Sequence, residues 1–360
     1  MQCGQPSVML PRVSQSRAVV LASRPVGEPV RSNLRLETRE LPAVGDGQVL
    51  LRTIYLSLDP YMRGRMNASR SYAKPVEVGA VMEGGTVCEV LESASPSFSP
   101  GDIVLAHSGW QTHAVQDSQP LRKIDPAKAP ISTALGVLGM PGFAAYVGLT
   151  EIGRVRPGET LVVAAATGAV GSVVGQIAKI QGARTVGIAG GASKVAWLRE
   201  LGFDVALDHR SPTFKNELSE AVPDGIDIYF ENVGGAVWEA VFDHLNDFAR
   251  VPVCGLISQY NQTSAPTGPD RLPQLMSAIN IKRLVVRGFT QRDFISTHYC
   301  DFQRDMSAWL ADGRIKFRED FVDGLENAPD AFFGLLKGKN FGKLIVKVAD
   351  DPTRPAPPMP

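Results

Sequence analysis

The amino-acid sequence predicts an α/β protein of two domains, a mostly β domain followed by a doubly wound parallel sheet. The chain of 360 residues is long enough for both, since one domain usually has about 100 to 200 residues. From Ala18 to Val115, short runs rich in Val, Ile and Leu end at Gly or Pro, a pattern typical of antiparallel strands. After Leu149, strand-like and helix-like segments alternate at the spacing that parallel βαβ crossovers require.

The parallel sheet of the second domain is predicted from apolar runs, which place strands at 161–166, 185–189, 205–208, 226–231, 251–255 and 284–289. Segment 258–273 is too rich in Pro, Gly and Ser for regular structure, and a long loop near the carboxyl edge of a sheet is often functional. We expect it to form a lid or a pocket wall. Beyond Lys316 the pattern predicts strand, helix, glycine turn and strand, and then a disordered Pro-rich tail at 351–360.

The composition excludes several function classes. Lys plus Arg and Asp plus Glu number 37 each, so there is no basic excess for binding nucleic acid or an anionic membrane surface. The most apolar stretch, 137–149, is shorter than the roughly 20 residues of a membrane span, and no membrane partner is expected. The four cysteines lack the short spacings of a metal knuckle or a redox dithiol. A reducing, cytoplasmic location is therefore predicted.

A phosphate-binding turn is the most informative motif. An apolar strand leads into the sequence ATGAVG at 166–171, a dinucleotide fingerprint with Ala166 in place of its first glycine, and a helix follows directly. Gly168 lets the backbone approach a pyrophosphate, and Gly171 lets the helix pack close to the sheet. Gly175 keeps the same helix face small. The alternative is a glycine turn that binds no ligand.

The end of the second strand favours NADP(H) over NAD(H). An NAD-specific site usually has Asp or Glu there, whereas this strand ends in Gly190 and Gly191 and is followed by Lys194. Lys194 is suited to a phosphate, although it is alternatively a solvated lysine at a helix start. Ser193 contacts the phosphate, caps the helix, or does both. His209, just past the third strand, is either beside the adenosine phosphate or a surface residue.

The candidate reaction centre lacks the ligands of a zinc dehydrogenase and the Tyr-x-x-x-Lys pair of short-chain reductases, so no metal site is predicted. Hydride attack on an activated alkene needs only one hydrogen-bond donor near the carbonyl oxygen, and a tyrosine hydroxyl can provide it. The candidates are Tyr260 and Tyr61, for each of which packing in a pocket wall is the alternative role. Arg63 and Arg65 are interpreted as residues of a solvated turn, with an anion site as the alternative.

The sequence resembles the medium-chain dehydrogenase/reductase superfamily, within it the zinc-free branch of prostaglandin reductases, plant alkenal double-bond reductases and bacterial curcumin reductases. The similarity runs from Ala18 to Val348 through YLSLDPYMRGRM, LGVLGMPGFAAY, GIDIYFENVGG, VCGLISQYN and LLKGKNFGK. It implies a GroES-like, mostly β catalytic domain at 1–138, a Rossmann-type domain at 139–317, and a return to the catalytic domain at 318–350. Prostaglandin reductases have tyrosine where this chain has His209.

The resemblance also implies the site and the reaction. Tyr260 and the nicotinamide ribose hydroxyl would polarise the oxygen of a small apolar enone or enal, and solvent would protonate the α-carbon. A homodimer through the sheet edge at 281–289 is implied as well. With the residue-based arguments above, the candidate cofactor-binding residues are Thr167, Gly168, Ala169, Val170, Gly171, Gly190, Ser193, Lys194, His209, Asn232, Cys254, Gly255, Leu256, Ile257, Ser258, Tyr260, Phe289 and Asn340.

These arguments predict an NADPH-dependent oxidoreductase that reduces the carbon-carbon double bond of α,β-unsaturated carbonyl compounds, such as curcumin, 2-alkenals or prostaglandin-like enones. Two alternatives remain at this point. A quinone reductase would bind the same cofactor and accept different substrates. A cofactor-binding protein without significant turnover would bind NADPH and reduce none of them.

Overall fold

The fold is described for residues 13–264 and 268–354 of a computed structural model. The predicted loop 258–273 lies partly outside the described residues, as does most of the predicted tail, of which only 351–354 are described. Within the described residues, no helix combines the length and the apolar character needed to cross a membrane.

The strands follow one another along the chain with helices concentrated in its second half. The strands are β1 (Gln15–Leu21), β2 (Leu34–Glu40), β3 (Gln48–Ser57), β4 (Thr86–Ser93), β5 (Ile103–Ala106), β6 (His113–Asp117), β7 (Arg122–Lys123), β8 (Thr160–Ala164), β9 (Arg184–Ala189), β10 (Val205–Asp208), β11 (Ile226–Phe230), β12 (Leu245–Val253), β13 (Val285–Gly288), β14 (Glu319–Asp323) and β15 (Lys343–Lys347). The helices are α1 (Met62–Arg65), α2 (Met140–Val147), α3 (Gly171–Ile180), α4 (Ala192–Glu200), α5 (Phe214–Ala221), α6 (Gly235–Phe242), α7 (Leu272–Lys282), α8 (Ile295–Ala311) and α9 (Ala328–Leu336).

A parallel sheet forms the centre of the second half of the chain. Its six strands have the order β10-β9-β8-β11-β12-β13, so the strand order reverses beside β8. Helices cover both faces: α2, α3 and α8 contribute to the apolar cluster on one face, and α5 and α6 to the cluster on the other. The predicted α/β class with a doubly wound sheet is confirmed, and the crevice outside the carboxyl ends of β8 and β11 is where such sheets bind ligands.

The N-terminal strands form a separate, largely antiparallel sheet. Its main path is β14-β15-β3-β4-β5-β7, with β6 also paired to β3, while β1 and β2 form a pair of their own. The last two strands join this sheet, so the chain leaves the parallel sheet and returns to the N-terminal one. The presence of β14 and β15 in the N-terminal sheet agrees with the predicted domain limits near 138 and 317. These limits stay a prediction.

Most predicted strand bounds differ from the structure by one or two residues, and two of the differences have local reasons. The first parallel strand ends at Ala164 because Ala165 has a positive φ of 50° and turns the chain away from the sheet. β12 begins at Leu245, six residues before its predicted start at 251. The polar residues Asn246 and Asp247 concealed this first part of the strand from the apolar pattern.

The ring of Phe203 packs against both helix α3 and the sheet, and the residue facing it on each side is a glycine. A Cβ at Gly175 would lie 1.9 Å from that ring, and one at Gly187 of β9 would lie 2.8 Å from it. The sequence-based role of Gly175, keeping this helix face small, is therefore confirmed. Because α3 begins at the phosphate-binding turn, the same packing fixes the height of that turn above the sheet.

We predict that Gly175→Ala lowers the free energy of unfolding by about 1 to 3 kcal/mol, the usual cost of adding a methyl group to a closely packed core. Chemical denaturation would measure this. Gly334→Ala in α9 is the matched control, since its Cβ would make only ordinary contacts at 3.7 Å and alanine is the better helix former. Equal stability of the Gly175 variant and the wild type would contradict the close packing.

Candidate functional site

A cleft of about 650 Å³ lies at the carboxyl ends of the parallel strands, a size typical of cofactor and substrate sites. The parallel-sheet part contributes the turns after β8, β9, β11 and β12. The N-terminal sheet contributes the segment after β3 and the residues before β15. The cleft therefore joins both parts of the molecule, and each side of it has a distinct chemistry.

The turn after β8 presents free backbone amides to the cleft. The amide of Gly168 donates to the carbonyl of Ala165 at 2.9 Å, and the hydroxyl of Ser172 donates to the carbonyl of Gly168 at 2.8 Å. The amides of Ala169, Val170 and Gly171 have no acceptor within the described residues. Because they stand at the start of α3, where the helix dipole is positive, this turn is suited to a pyrophosphate.

One residue of the turn after β8 has an unexpected left-handed backbone conformation. The left-handed residue is Ala165, one position before Ala166, which replaces the first glycine of the fingerprint. A Cβ at Gly171 would lie 2.4 Å from the carbonyl oxygen of Ala165, so the last glycine is required sterically. Gly171 therefore provides the space that the turn needs, and the left-handed backbone of Ala165 carries strain.

The segment between α9 and β15 crosses over this turn. Gly342 forms a parallel bridge with Gly168, and the side-chain amide of Asn340 donates to the carbonyl of Gly342 at 2.8 Å. The ammonium of Lys194 donates to the carbonyl of Gly338 at 2.7 Å. Gly342 has a φ of 82°, and a Cβ there would lie 2.2 Å from the carbonyl oxygen of Arg318. This segment leads into β15 of the N-terminal sheet, and it therefore covers the cofactor side of the cleft.

A cationic corner lies beside the end of β9, formed by Lys194, His209 and Arg210. The side chains of His209 and Arg210 both pass within 2.8 Å of the position a Cβ would take on Gly190. Burial lowers the pKa of Lys194, and the charge of Arg210 lowers it further. Burial likewise lowers the pKa of His209, so its ring is neutral near neutral pH and adds no charge to the corner.

This corner has no carboxylate directed into the cleft among the residues that line it. Asp208 at the end of β10 is the nearest in sequence, and backbone amides of Arg210 and Gly191 bind its carboxylate, which lowers its pKa. Arg210 was missed by the sequence analysis, although it directly follows His209. An arginine next to a predicted phosphate contact was the signal that could have identified it.

Tyr260 is held in place by its own loop. The amide of Leu256 donates to the Tyr260 hydroxyl at 3.3 Å, which leaves the phenolic proton available for another acceptor. Burial raises the pKa of Tyr260, and the Leu256 amide offsets part of the rise. The hydroxyl therefore stays protonated at physiological pH. Leu256 acts here through its backbone, and its side chain does not line the cleft.

Tyr61 lines the opposite side of the cleft, just before α1. Burial raises its pKa well above the ordinary value, and the nearby carboxylates of Asp59 and Glu83 add to the rise. Its hydroxyl has no hydrogen-bond partner within the described part of the chain. The structure thus brings both candidate tyrosines to one cleft, with only Tyr260 oriented by a backbone amide.

The interpretation of Arg63 and Arg65 as a solvated turn was wrong. Both side chains are buried, at 2% exposure. Arg65 pairs with Glu83 at 2.7 Å and stacks over the ring of Tyr72, with 4.5 Å to the ring centroid. Burial is possible because the guanidinium gains these partners. Arg65 and Tyr72 both line the cleft and were not predicted from the sequence.

Two buried carboxylates support the walls of the cleft. Glu231, just after β11, accepts hydrogen bonds from the amides of Val233 and Gly234 at 2.6 and 2.8 Å and so holds the loop that carries Asn232. Burial raises the pKa of Glu231, and these amides oppose the rise. Asp59 pairs with the buried ammonium of Lys343 at 2.8 Å. Because both carboxylates are bound to other groups of the protein, we assign them a structural role in the walls of the cleft.

Most of the predicted site residues line this one cleft, and two do not. Ser193 and Leu256 stand outside its lining. The cap role of Ser193 was wrong, because α4 begins at Ala192 with Gly191 as its N-cap and Ser193 already lies in the first turn. The predicted residues in the lining are Tyr61, Thr167, Gly168, Ala169, Val170, Gly171, Gly190, Lys194, His209, Asn232, Cys254, Gly255, Ile257, Ser258, Tyr260, Phe289 and Asn340.

The described residues contain no group of three or more His, Cys, Asp and Glu side chains that could hold a metal ion. Cys254 lines the cleft, and burial raises the pKa of its thiol to about 12, so it is not a thiolate ligand at neutral pH.

Comparison with known proteins gives two family matches along the chain. Residues 17–124 match the family described as the N-terminal domain of oxidoreductase. Residues 169–311 match the family described as zinc-binding dehydrogenase. The division between the two matches falls between β7 and α3, close to the boundary between the two sheets.

Relatives of high identity cover nearly the whole chain. The NADPH-dependent curcumin reductase of Escherichia coli (strain K12) is 54% identical over 338 residues, which are 94% of this chain and 98% of the relative. Prostaglandin reductase 1 of Bos taurus is 44% identical over 326 residues, 89% of this chain and 96% of the relative. The crystal structure of CurA from Vibrio vulnificus in complex with NADPH is 52% identical, with a TM-score of 0.91, over 93% of this chain and 100% of that one.

These similarities extend over both sheets and the cleft between them. The chain belongs to the medium-chain dehydrogenase/reductase superfamily, in the branch that contains the curcumin and prostaglandin reductases.

Proposed function

We propose that this protein is an NADPH-dependent oxidoreductase that reduces the carbon-carbon double bond of α,β-unsaturated carbonyl compounds. The observation that carries the proposal is the cleft itself, in which free amides at 169–171, the cationic corner and the oriented hydroxyl of Tyr260 face one space. The identity of 54% to a curcumin reductase supports the same activity.

The residues present fit NADPH. The free amides before α3 suit its pyrophosphate, and Lys194 and Arg210 suit the additional phosphate that distinguishes it from NADH. Asn340 and the rest of the segment over the turn would cover the bound phosphates. The remaining predicted contacts, from Asn232, Cys254, Phe289 and the loop 255–258, surround the space that leads toward Tyr260. When bound, the cofactor supplies a hydride.

The substrate side of the cleft suits an alkene conjugated to a carbonyl group. Leu58, Leu105, Met140 and Phe289 provide apolar walls for the carbon chain. The Tyr260 hydroxyl donates a hydrogen bond to the carbonyl oxygen, where negative charge develops as the β-carbon gains hydride. Because the tyrosine stays protonated, it stabilises the enolate without itself losing a proton. Solvent then protonates the α-carbon.

The decisive experiment follows NADPH absorbance with purified protein and a panel of 2-alkenals, enones, saturated aldehydes and quinones. We expect rapid oxidation with the alkenals and enones, a saturated carbonyl product by mass spectrometry, and the label of deuterated NADPH on the β-carbon. Fast turnover of quinones alone would replace the proposal with a quinone reductase. Tight NADPH binding without turnover of any acceptor would leave only a cofactor-binding role.

The proposal includes a homodimer formed through the edge strand β13. Val285 and Val286 on this strand are 47% and 37% exposed, and Ile281 in the preceding helix is 64% exposed. An unpaired strand edge with apolar side chains favours pairing with another chain. Light scattering should therefore give twice the mass of one chain. The substitution Val286→Lys should reduce the measured mass to that of one chain. A wild-type protein of single-chain mass would contradict the dimer.

A cytoplasmic location is also proposed. Cys88, Cys254 and Cys300 are all free in the described part of the chain, as expected in a reducing compartment. Fractionation of cells that express the protein would test this, and recovery with a membrane or secreted fraction would contradict it.

A further inference from the structure

One side-chain hydrogen bond connects the two sides of the cleft next to its candidate tyrosines. The Nε of Arg63 donates to the side-chain oxygen of Asn261 at 2.9 Å. Arg63 lies in α1, two residues after Tyr61, and Asn261 directly follows Tyr260 in the loop after β12. The bond therefore joins the N-terminal part of the chain to the parallel-sheet part, beside both candidate hydroxyls in the sequence.

The side chain of Arg63 is buried and has only neutral partners. It is 2% exposed. Besides Asn261, its guanidinium donates to the side-chain oxygen of Asn67 at 2.6 Å and to the carbonyl of Gly27 at 2.7 Å. Within the described residues no carboxylate pairs with it, in contrast to Arg65. Because a buried charge without a counter-charge is costly, these three directed hydrogen bonds must hold Arg63 in its place.

The loop that carries Tyr260 is otherwise held from its own side of the cleft. The amides of Ile257 and Ser258 donate to the carbonyls of Asn232 and Val233 at 3.2 and 3.0 Å. Among the hydrogen bonds of the described residues, only the one from the buried guanidinium ties this loop to the N-terminal part. Loss of that bond would therefore release the loop from the opposite wall.

The segment around Gly27 packs against the same loop. A Cβ at Gly27 would lie 3.6 Å from the Cγ2 of Thr263 and 3.8 Å from the carbonyl oxygen of Asn261. The guanidinium of Arg63 also donates to the carbonyl of Gly27. One side chain therefore binds both surfaces of this contact.

The charge of Arg63 is not what adjusts the Tyr260 hydroxyl. Burial raises the pKa of Tyr260, the amide of Leu256 offsets part of the rise, and Tyr72 and Cys254 add to it. Arg63 is not among these groups, and burial lowers its own pKa. Its influence on the reaction therefore passes through the position of the loop.

We propose that Arg63 is a positioning residue, which through Asn261 holds the Tyr260 hydroxyl at the carbonyl oxygen of the substrate and sets the width of the cleft between Tyr260 and Tyr61. This proposal rests on the enone reductase activity proposed above. Arg63 and Asn261 lie outside the lining of the cleft, so neither touches substrate or cofactor. A misplacement of about 1 Å that starts far from the chemistry can still cost about 100-fold in rate.

The test removes the acceptor and keeps the buried arginine, so that the fold is preserved. In Asn261→Ala, kcat with an enone should fall about tenfold, a part of the loss that a full misplacement would cause. NADPH affinity should stay within about twofold, well under a tenfold change. Asn261→Asp should retain most of the rate, because a carboxylate also accepts a hydrogen bond from a guanidinium.

The matched control is Asn67→Ala, which removes the other side-chain acceptor of Arg63. Asn67 lies four residues after Arg63 on the same side of the cleft and outside its lining. We expect kcat to stay the same in this variant, because the bond to Asn261 remains. Equal losses of kcat in Asn67→Ala and Asn261→Ala would overturn the proposal and leave Arg63 with a structural role only.

A double variant separates positioning from a general structural effect. If Asn261 acts through the Tyr260 hydroxyl, Asn261→Ala combined with Tyr260→Phe should be no slower than Tyr260→Phe alone, because the effects of residues that act as a unit are not additive. Losses that multiply in the double variant would contradict a role that passes through this hydroxyl.

Amide hydrogen exchange measures the hold on the loop without any substrate. The amide of Gln262 donates to the carbonyl of Gln259 at 3.0 Å. It should exchange faster in Asn261→Ala than in the wild type, since local opening of the loop exposes it. Unchanged exchange would overturn the proposal whether or not the protein reduces enones. Absence of enone turnover in the wild type would instead count against the proposed activity, and exchange would still decide whether Arg63 holds the loop.

Discussion

Replacing Tyr260 with phenylalanine should lower kcat by about 100-fold, because loss of one hydrogen-bond donor to a developing oxyanion usually costs about 2.7 to 4 kcal/mol. The substitution removes only the hydroxyl, and the ring that packs against the loop after β12 is kept. NADPH binding should therefore stay within about twofold of the wild type, well under the 1.4 kcal/mol that a tenfold change requires. Single-turnover kinetics with an enone, together with NADPH titration, would measure both quantities.

Two matched variants make this prediction specific. Tyr61→Phe removes the other candidate hydroxyl of the cleft, and we expect a much smaller loss because no backbone amide orients that group. Tyr146→Phe removes a hydroxyl that donates to Asp305 at 2.7 Å outside the lining of the cleft, so kcat should not change. An unchanged kcat in Tyr260→Phe with a large loss in Tyr61→Phe would transfer the catalytic role to Tyr61.

The sequence predicted the fold well because both sheets have strong local signals. Runs such as LVVAA before the phosphate-binding turn give the order of the parallel strands, and the positions of Gly171 and Gly175 agree with steric requirements visible only in three dimensions. The bounds of β12 were less predictable. There, polar residues occupy strand positions, and tertiary pairing with β11 and β13 overrides the local pattern.

The site was predicted where function depends on the backbone, and less well where it depends on long-range pairing. A glycine turn can be identified from neighbouring letters, whereas the burial of Arg65 depends on Glu83 and Tyr72, which the chain brings together from 18 and 7 residues away. The periodicity of a sequence gives no information on such contacts. The charge distribution of the cleft could therefore be described only from the structure.

The cationic corner leads to the second large prediction. Arg210→Gln should weaken NADPH binding by about tenfold to 100-fold, since a charge-assisted hydrogen bond contributes about 1.5 to 3 kcal/mol. NADH, which lacks the additional phosphate, should bind the variant and the wild type about equally. Lys194→Ala should have the same direction of effect. Fluorescence titration with both cofactors at two salt concentrations would measure four affinities for each protein.

The two variants differ in what else they disturb, and this difference makes the test sharper. Lys194 also donates a hydrogen bond to the carbonyl of Gly338. Loss of its side chain therefore also releases the segment that covers the turn, an effect that acts on the binding of both cofactors. The Arg210 side chain has no such hydrogen bond within the described residues, so Arg210→Gln isolates the effect of charge. Equal losses for NADPH and NADH in Arg210→Gln would show that the corner does not bind the additional phosphate. A loss confined to NADPH that shrinks at high salt would establish an electrostatic origin, because salt screens the attraction between the guanidinium and the phosphate.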